Sequence, residues 1–432
     1  MRRTSWTAAV AAGLLALTAC GGGQGAGPAA PADSTFSDKY DGPDVTLSYW
    51  NGFTGGDGPF MEQLVKDFMA EHDNITIKSN TIQWADFYQR VPAAVQAGQG
   101  PDVGVMHLDQ LATHAARNII VPLDDLAEGI GLSEKDFTPE IWKAGIYKDK
   151  RYGIPLDVHS LAMYYNKEHF DKAGITEPPT DEASFMDALD KLKKAGYDTP
   201  FWMPTLWPSH LIYLSLMWQQ GQEPYGDDGQ AAAYDSDAGV KALEWQRSMV
   251  DKGYSPPNVA IDAQYVAFKA GKTSITWDGI WQINDLVDNK VPYGIAPIPA
   301  IFDKQAEWAN SHHFFISTQG AKDKNKLAAA QVFIAWMSEH SADWAGSGMI
   351  PARLSVREGG ALDGKPQAAI AEVIEGMHFL PPVPGVGGVQ AEALEPAVAN
   401  GVLGKGDPAD LLKEAASKAT ELMKRNRESF GD

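Results

Sequence analysis

A single cysteine, Cys20, is all that the 432 residues hold, so no disulfide can form within the chain and the fold must be held by its core. Basic residues are also short: 36 Lys and Arg against 56 Asp and Glu leave a formal charge of −20. With no basic excess to displace counterions from phosphates, nucleic acid is excluded as a partner, and the acidity reads as a solvated surface. Beyond the first forty residues no apolar run is long enough to cross a bilayer as a helix. Signatures of catalysis are sparse as well. Gly271-Lys272-Thr273 ends like a phosphate-binding loop, but the glycine needed five positions before Gly271 is replaced by Val266. Ser347 sits directly between Gly346 and Gly348, without the flanking residues of a nucleophile elbow. No two histidines stand at helical metal spacing around a glutamate, and the adjacent His312 and His313 would point apart on a strand. Neither a metal nor a cofactor is expected.

What is present begins with an export signal over residues 1–19. Arg2 and Arg3 precede an apolar segment from Trp6 to Leu17, too short for a permanent span. It ends on Leu17-Thr18-Ala19-Cys20, which resembles the bacterial lipobox. That resemblance implies acylation of Cys20, its conversion into the new N-terminus, and a lipid-anchored protein on the extracellular face of the cell membrane. Loss of Arg2 and Arg3 would take the charge from −20 to about −22. The twin arginine leaves the export route open. Residues 20–42, rich in Gly, Ala and Pro, read as a flexible tether. The glycine spacing within Gly21 to Gly27 matches a dinucleotide-binding pattern but has no strand before it and no helix after it.

Further along, Val45, Leu47 and Tyr49 alternate with polar residues and predict a strand, followed by a glycine-rich loop over 52–58. Phe60, Leu64 and Phe68, beside Met61, Val65 and Met69, predict a helix after Asp57-Gly58-Pro59. Ile75 and Ile77 mark a second strand, Phe87 to Val95 a second helix, and Val103 to Met106 a third strand. This alternation predicts an α/β fold with a parallel sheet covered by helices. Helical spacing recurs at Phe185, Leu189 and Leu192, at Val240, Leu243 and Val250, at Leu327, Phe333, Ile334 and Met337, and from Leu411 to Met423. Short strand-like pieces lie at Gly153 to Leu156, Ser274 to Trp277 and Phe314 to Ser317. The length implies two or three domains and more than one sheet.

Tryptophan stands out, with thirteen copies, several beside polar or turn residues. Trp50-Asn51-Gly52 ends a predicted strand, Trp207-Pro208 follows a proline-punctuated loop, and Trp277-Asp278-Gly279-Ile280-Trp281 joins a strand to a helix. A tryptophan is ordinarily a core residue, but at strand ends it can reach a ligand. The apolar face of a pyranose lies well on an indole, and its hydroxyl rim needs acceptors such as carboxylates. Aromatics next to Asp and Asn therefore suit a sugar. Asn51, Thr54 and Asp57 on the first loop are candidate contacts.

The order of segments resembles the extracellular solute-binding proteins of ABC importers, in the sugar-binding group that includes maltose-binding protein. The stretches that carry this are Gly100-Pro101-Asp102-Val103, Tyr152-Gly153-Ile154-Pro155-Leu156-Asp157, Tyr164-Tyr165-Asn166-Lys167, Phe268 to Lys272 leading to Trp281, and Ala296-Pro297-Ile298-Pro299. The resemblance implies a two-lobed, type II periplasmic-binding-protein-like fold, each lobe a sheet flanked by helices, with ligand in the cleft between. Lobe one would take residues 44–155 and 308–353, lobe two 160–302 and 356–432, with hinges at 156–159 and 303–307. Asp157 and Asp109 match carboxylates that bind sugar hydroxyls in the family, Trp281 matches a stacking aromatic, and Trp207 lies in a segment that supplies aromatics to the cleft. Trp277, Asp278 and His159 adjoin these positions; His312 and Arg353 are expected to be structural. Met106 and Gln110 replace an aromatic and a basic residue of the maltose binder, and Gln390 stands where another aromatic would, so the ligand need not be a maltodextrin. The function implied is capture of a mono- or oligosaccharide by a monomer and delivery to ABC permease subunits, without enzymatic turnover. The same tryptophans and carboxylates would also fit a lipid-anchored glycosidase, or a sensor serving a signalling receptor.

Overall fold

The computed structural model describes residues 36–226 and 229–430. Cys20, the signal segment and the tether up to residue 35 lie outside the described residues. The tether is shorter than its composition implies. Phe36 packs against the main core and Tyr40 is buried in it, with the Tyr40 hydroxyl donating to the Pro43 carbonyl at 2.8 Å. Two aromatic rings are enough to hold the stretch before Pro43 against the body.

The described strands are β1 (Val45–Asn51), β2 (Ile75–Thr81), β3 (Val103–His107), β4 (Ile146–Tyr147), β5 (Lys150–Arg151), β6 (Ile154–Pro155), β7 (Asp157–Asn166), β8 (Ile275–Gly279), β9 (Tyr293–Ala296), β10 (Glu307–Asn310), β11 (His312–Ile316), β12 (Ile350–Pro351) and β13 (Met377–His378). The first sheet runs β2-β1-β3-β11-β6. β1 pairs in parallel with β2 and β3, as the alternating pattern predicts, but β11 enters antiparallel to both β3 and β6. The sheet is therefore mixed, because β11 returns from two hundred residues later and from the opposite direction.

The second sheet is built around β7, nine of whose ten residues are buried. Its first half lies between β12 and β10, and its second half between β8 and β9, all antiparallel to it. β10, expected in the first lobe, pairs with β7 instead: Asn310 faces His159 and Ala309 faces Ser160.

Amphipathic helices cover the sheets where the spacing predicts them. Gly58–Glu71 buries Met61, Leu64, Val65 and Phe68, and Pro59 fits its first turn, where no amide hydrogen is needed. Glu182–Lys194 is closed by a capping box between Asp181 and Ser184. Among the helices without a counterpart in the sequence reading, Ser209–Gln219 is buried on every side, so it shows no polar face. Its polar residues serve the chain around it. Ser215 accepts from the Trp308 backbone at 2.8 Å, and Gln219 donates to the Pro299 and Ala306 carbonyls while accepting from the Ile301 amide. The stretch from Pro299 to Trp308 is thereby fastened to a rigid element.

Candidate functional site

In parallel α/β sheets, ligand groups gather at the carboxyl ends of the strands. Here β1 runs into Asn51 and the glycine loop, β2 into Trp84, which opens the helix Trp84–Gln96, and β3 into His107 and then the helix Leu108–Ala116. At the other end of β1 a polar depression of about 520 Å³, lined by Asp44, Ser48, Asp102 and Lys326 among others, has no aromatic wall.

The centre of the site is produced by strand register. β10 and β11 are consecutive segments separated by Ser311, and they cross from the second sheet to the first. In β10, Asn310 faces His159 of β7; two residues later, His312 of β11 faces His107 of β3. Three histidines from three strands so meet at one point. The His159 and His312 rings stack with centroids 4.3 Å apart, and His107 lies 4.7 Å from His312.

Asp157 lies beneath them. It is fully buried, and its carboxylate accepts from the Nδ1 of His159 at 3.2 Å, from the backbone and Nδ1 of His312 at 3.1 and 2.9 Å, and from Trp344 Nε1 at 2.7 Å. Burial alone would raise its pKa. The attraction of His312 and the hydrogen bonds from both histidines outweigh burial and hold the carboxyl well below the ordinary range. The sequence reading gave Asp157 a direct hold on ligand hydroxyls. In the structure the carboxylate has no exposed surface and its oxygens are engaged by protein donors.

His159, 1% exposed, is depressed to about 4 by burial and then by repulsion from His312, against the pull of Asp157. His107 keeps partial exposure and is lowered by burial, His312 and His159. Both rings are neutral at pH 7. Aromatic rings surround them: Trp84 lies 4.4 Å from His107, and Phe53 of the glycine loop 4.8 Å from His312. Trp281 packs 5.8 Å from His159 and edge-on to Trp308 at 6.4 Å, with Trp207 beyond it at 6.4 Å. Trp207 is 37% exposed, an open indole face.

The other expected contacts divide. Asp57 is buried at the start of the helix Gly58–Glu71, accepts from the Gly55 amide at 3.1 Å, and is raised to about 6 by burial, with His312 pulling the other way. Asn51, 2% exposed, accepts from the Phe53 amide and closes the turn, whereas Thr54 is exposed. Asp109 accepts from Asn310 and Gln110, both at 3.1 Å, and burial raises its pKa. A Cβ on Gly387 would collide with Gln110 and stand 3.0 Å from Asp109 Oδ2, and the Gly385 amide donates to Thr113 at 2.8 Å. The Val386–Val389 turn, with Gln390 buried just after it, is thus pressed against the helix bearing Asp109. A matching seam lies across the site, where Gly56 packs on Asn284 and Asp285 and Asn284 approaches the Gly56 carbonyl at 3.5 Å.

Trp277 and Asp278 are both enclosed. Trp277 is 1% exposed, stacked on Trp245 at 5.5 Å and flanked by Phe185 and Phe201 within the second core. Asp278, also enclosed, accepts from the Gly279 amide, Gln282 and Gln264, and burial raises it to about 6. In β8 these residues face inward, and only Trp281 reaches the cluster. Arg353 pairs with Asp136 at 2.7 Å. His312, expected to be structural, stands at the centre of the site. Sequence reasoning passed over His107, Trp84, Trp308 and Asn310. The Asp157-x-His159 spacing, which puts both side chains on one face of a strand, was the signal for the histidine group.

Two sheets flanked by helices, with aromatic and polar side chains converging where the chain crosses between them, define a two-lobed α/β binding protein. The chain belongs to the Bacterial extracellular solute-binding protein family, whose profile matches residues 53–344. A binding protein of Brucella abortus (strain 2308) is 26% identical over 381 residues, 85% of this chain and 90% of that protein. A maltooligosaccharide ABC transporter solute-binding lipoprotein of Streptococcus pneumoniae (strain ATCC BAA-255 / R6) is 23% identical over 447 residues, spanning 100% of this chain and 99% of its own. Among solved structures, the GacH receptor of Streptomyces glaucescens GLA.O, determined unliganded and with acarbose, superposes with a TM-score of 0.76 at 22% identity, covering 90% of this chain and 98% of that one.

Proposed function

We propose that this protein captures a carbohydrate between its two lobes and presents it to an ABC permease, held at the outer membrane face by lipid on Cys20. The observation that carries this is the open indole of Trp207 beside Trp281 and Trp308, next to buried acceptors that would meet a hydroxyl rim. Trp207, Trp281 and Trp308 form the stacking wall, while His107, His159, Asp109 and Gln390 are the polar contacts. Asp157 fixes the ring directions of His159 and His312 and has no ligand contact of its own. The names of the Streptococcus lipoprotein and the acarbose-bound receptor support the ligand class.

In this reading residues 156–159 and 303–307 are the hinges, and the two glycine seams are where the lobes meet on closure. Ligand favours the closed form through contacts available only there. In this reading the sugar is bound without turnover, which the enclosure of Asp157 and Asp278 supports.

Calorimetric titration of the purified chain with mono- and oligosaccharides, polyols, amino acids and phosphates tests the ligand class. Saturable binding of a sugar is expected, and binding of none, or of an amino acid alone, overturns it. Replacing Cys20 by Ser is expected to release the protein from membranes with sugar affinity unchanged.

A further inference from the structure

His107, His159 and His312 each bring one ring nitrogen within 4.8 Å of the other two. The distribution of their hydrogen bonds decides which nitrogen is left. His159 and His312 both commit Nδ1 to the Asp157 carboxylate, at 3.2 and 2.9 Å. His107 commits Nδ1 to the Tyr88 hydroxyl at 2.6 Å. Nε2 remains on each ring, and that of His312 is buried without a partner. A carboxylate holding Nδ1–H fixes the tautomer and aims the Nε2 lone pair, which is the support that metal-bound imidazoles ordinarily have.

We propose that His107, His159 and His312 form a binding site for a divalent transition-metal ion of the zinc type, with Asp157 and Tyr88 as the groups that orient the ligands. Three imidazole nitrogens without a free carboxylate beside them suit Zn²⁺, Co²⁺, Ni²⁺ or Cu²⁺, and not Mg²⁺ or Ca²⁺, which take oxygen. Zn–N bonds of about 2.0–2.1 Å in a tetrahedral site separate the nitrogens by about 3.4 Å, so nitrogens up to 4.8 Å apart must draw together by up to about 1.4 Å. His107 is the partly exposed ring and the freest to make that movement. Three protein ligands leave a fourth position for water or a ligand group. The site shares His107 and His159 with the carbohydrate reading but does not rest on it, and its test uses no sugar.

The purified full chain, stripped with EDTA, is titrated with Co²⁺ by visible absorption and with Zn²⁺ by calorimetry. One equivalent should bind, with the absorption of tetrahedral cobalt, and Zn²⁺ should raise the melting temperature in a way that chelator reverses. His107→Gln should weaken binding at least tenfold, and Asp157→Asn by about 10–100-fold through the lost orientation, while His378→Gln should leave it unchanged. If the Asp157 variant fails to fold, ring NMR of the unaltered protein decides. Zn²⁺ should shift three of the ten histidines. Absence of saturable uptake near one equivalent, unchanged affinity in His107→Gln, or shifts confined to other histidines overturns the proposal.

Discussion

Asp157 and His312 are joined twice across 155 residues of chain, through the His312 backbone amide at 3.1 Å and its ring Nδ1 at 2.9 Å. One carboxylate thereby locks the first residue of β7 to the first residue of β11, at the place where the two sheets meet.

Asp157→Asn should consequently act on stability. The amide turns a donor toward Trp344 or the histidines and leaves buried groups unpaired, so a loss of about 3 kcal/mol is expected in urea unfolding at pH 7. Unchanged stability with weakened sugar binding would restore Asp157 as a direct contact.

Trp207 and Trp277 should separate binding from packing. Trp207→Ala removes an open ring face and should weaken sugar binding about tenfold with little change in melting temperature. Trp277→Ala empties a filled core and should cost about 3–5 kcal/mol of stability. Calorimetry and denaturant titration on both variants measure the difference.

His210 is buried beside Trp207, with Glu395 Oε1 3.5 Å from its Nε2, and burial lowers its pKa to about 3. Because the folded value lies below the unfolded value near 6.5, the unfolded chain binds more protons between about pH 3 and 6.5. The stability due to the neutral ring is whole above that window and is lost as pH falls through it. His210→Gln should therefore reduce the acid slope of stability by about 1.4 kcal/mol per pH unit there. An unaltered slope between pH 6 and 4 would contradict the assignment.

Gly56→Ala places a methyl group 3.0 Å from the Asp285 amide nitrogen and 3.1 Å from the Asn284 Cβ. The proposed closed form is opposed and the open one is not, so sugar affinity should fall several-fold and X-ray scattering with saturating sugar should show a larger radius of gyration. Melting temperature without sugar should change little.

Much of the scaffold was legible because periodicity marks half-buried elements. β1 shows it in Leu47 and Tyr49, and the helix Gly58–Glu71 in Leu64 and Phe68. The helix Ser209–Gln219 was not legible, since burial on all sides removes the polar phase that reveals a helix. Their place at turns singled out Trp281 and Trp207, which lie beside the histidine group, and also Trp277, which is enclosed in the second core. It lies two positions inside the strand end, where the side chain points into the core. The local Asp157-x-His159 spacing marks only the β7 member of the histidine cluster; its meeting with His107 and His312 depends on register between segments far apart in sequence.

The crossing from Asn310 to His312 has one more result. His159 belongs to the neighbour of Asn310 and His107 to the neighbour of His312, so the spacing of these two imidazoles is set by how one sheet sits on the other. Any shear between the sheets is written into that spacing over two residues of backbone. The ring resonances of His107 and His159 are therefore a built-in gauge of the cleft, readable by NMR without attaching a label.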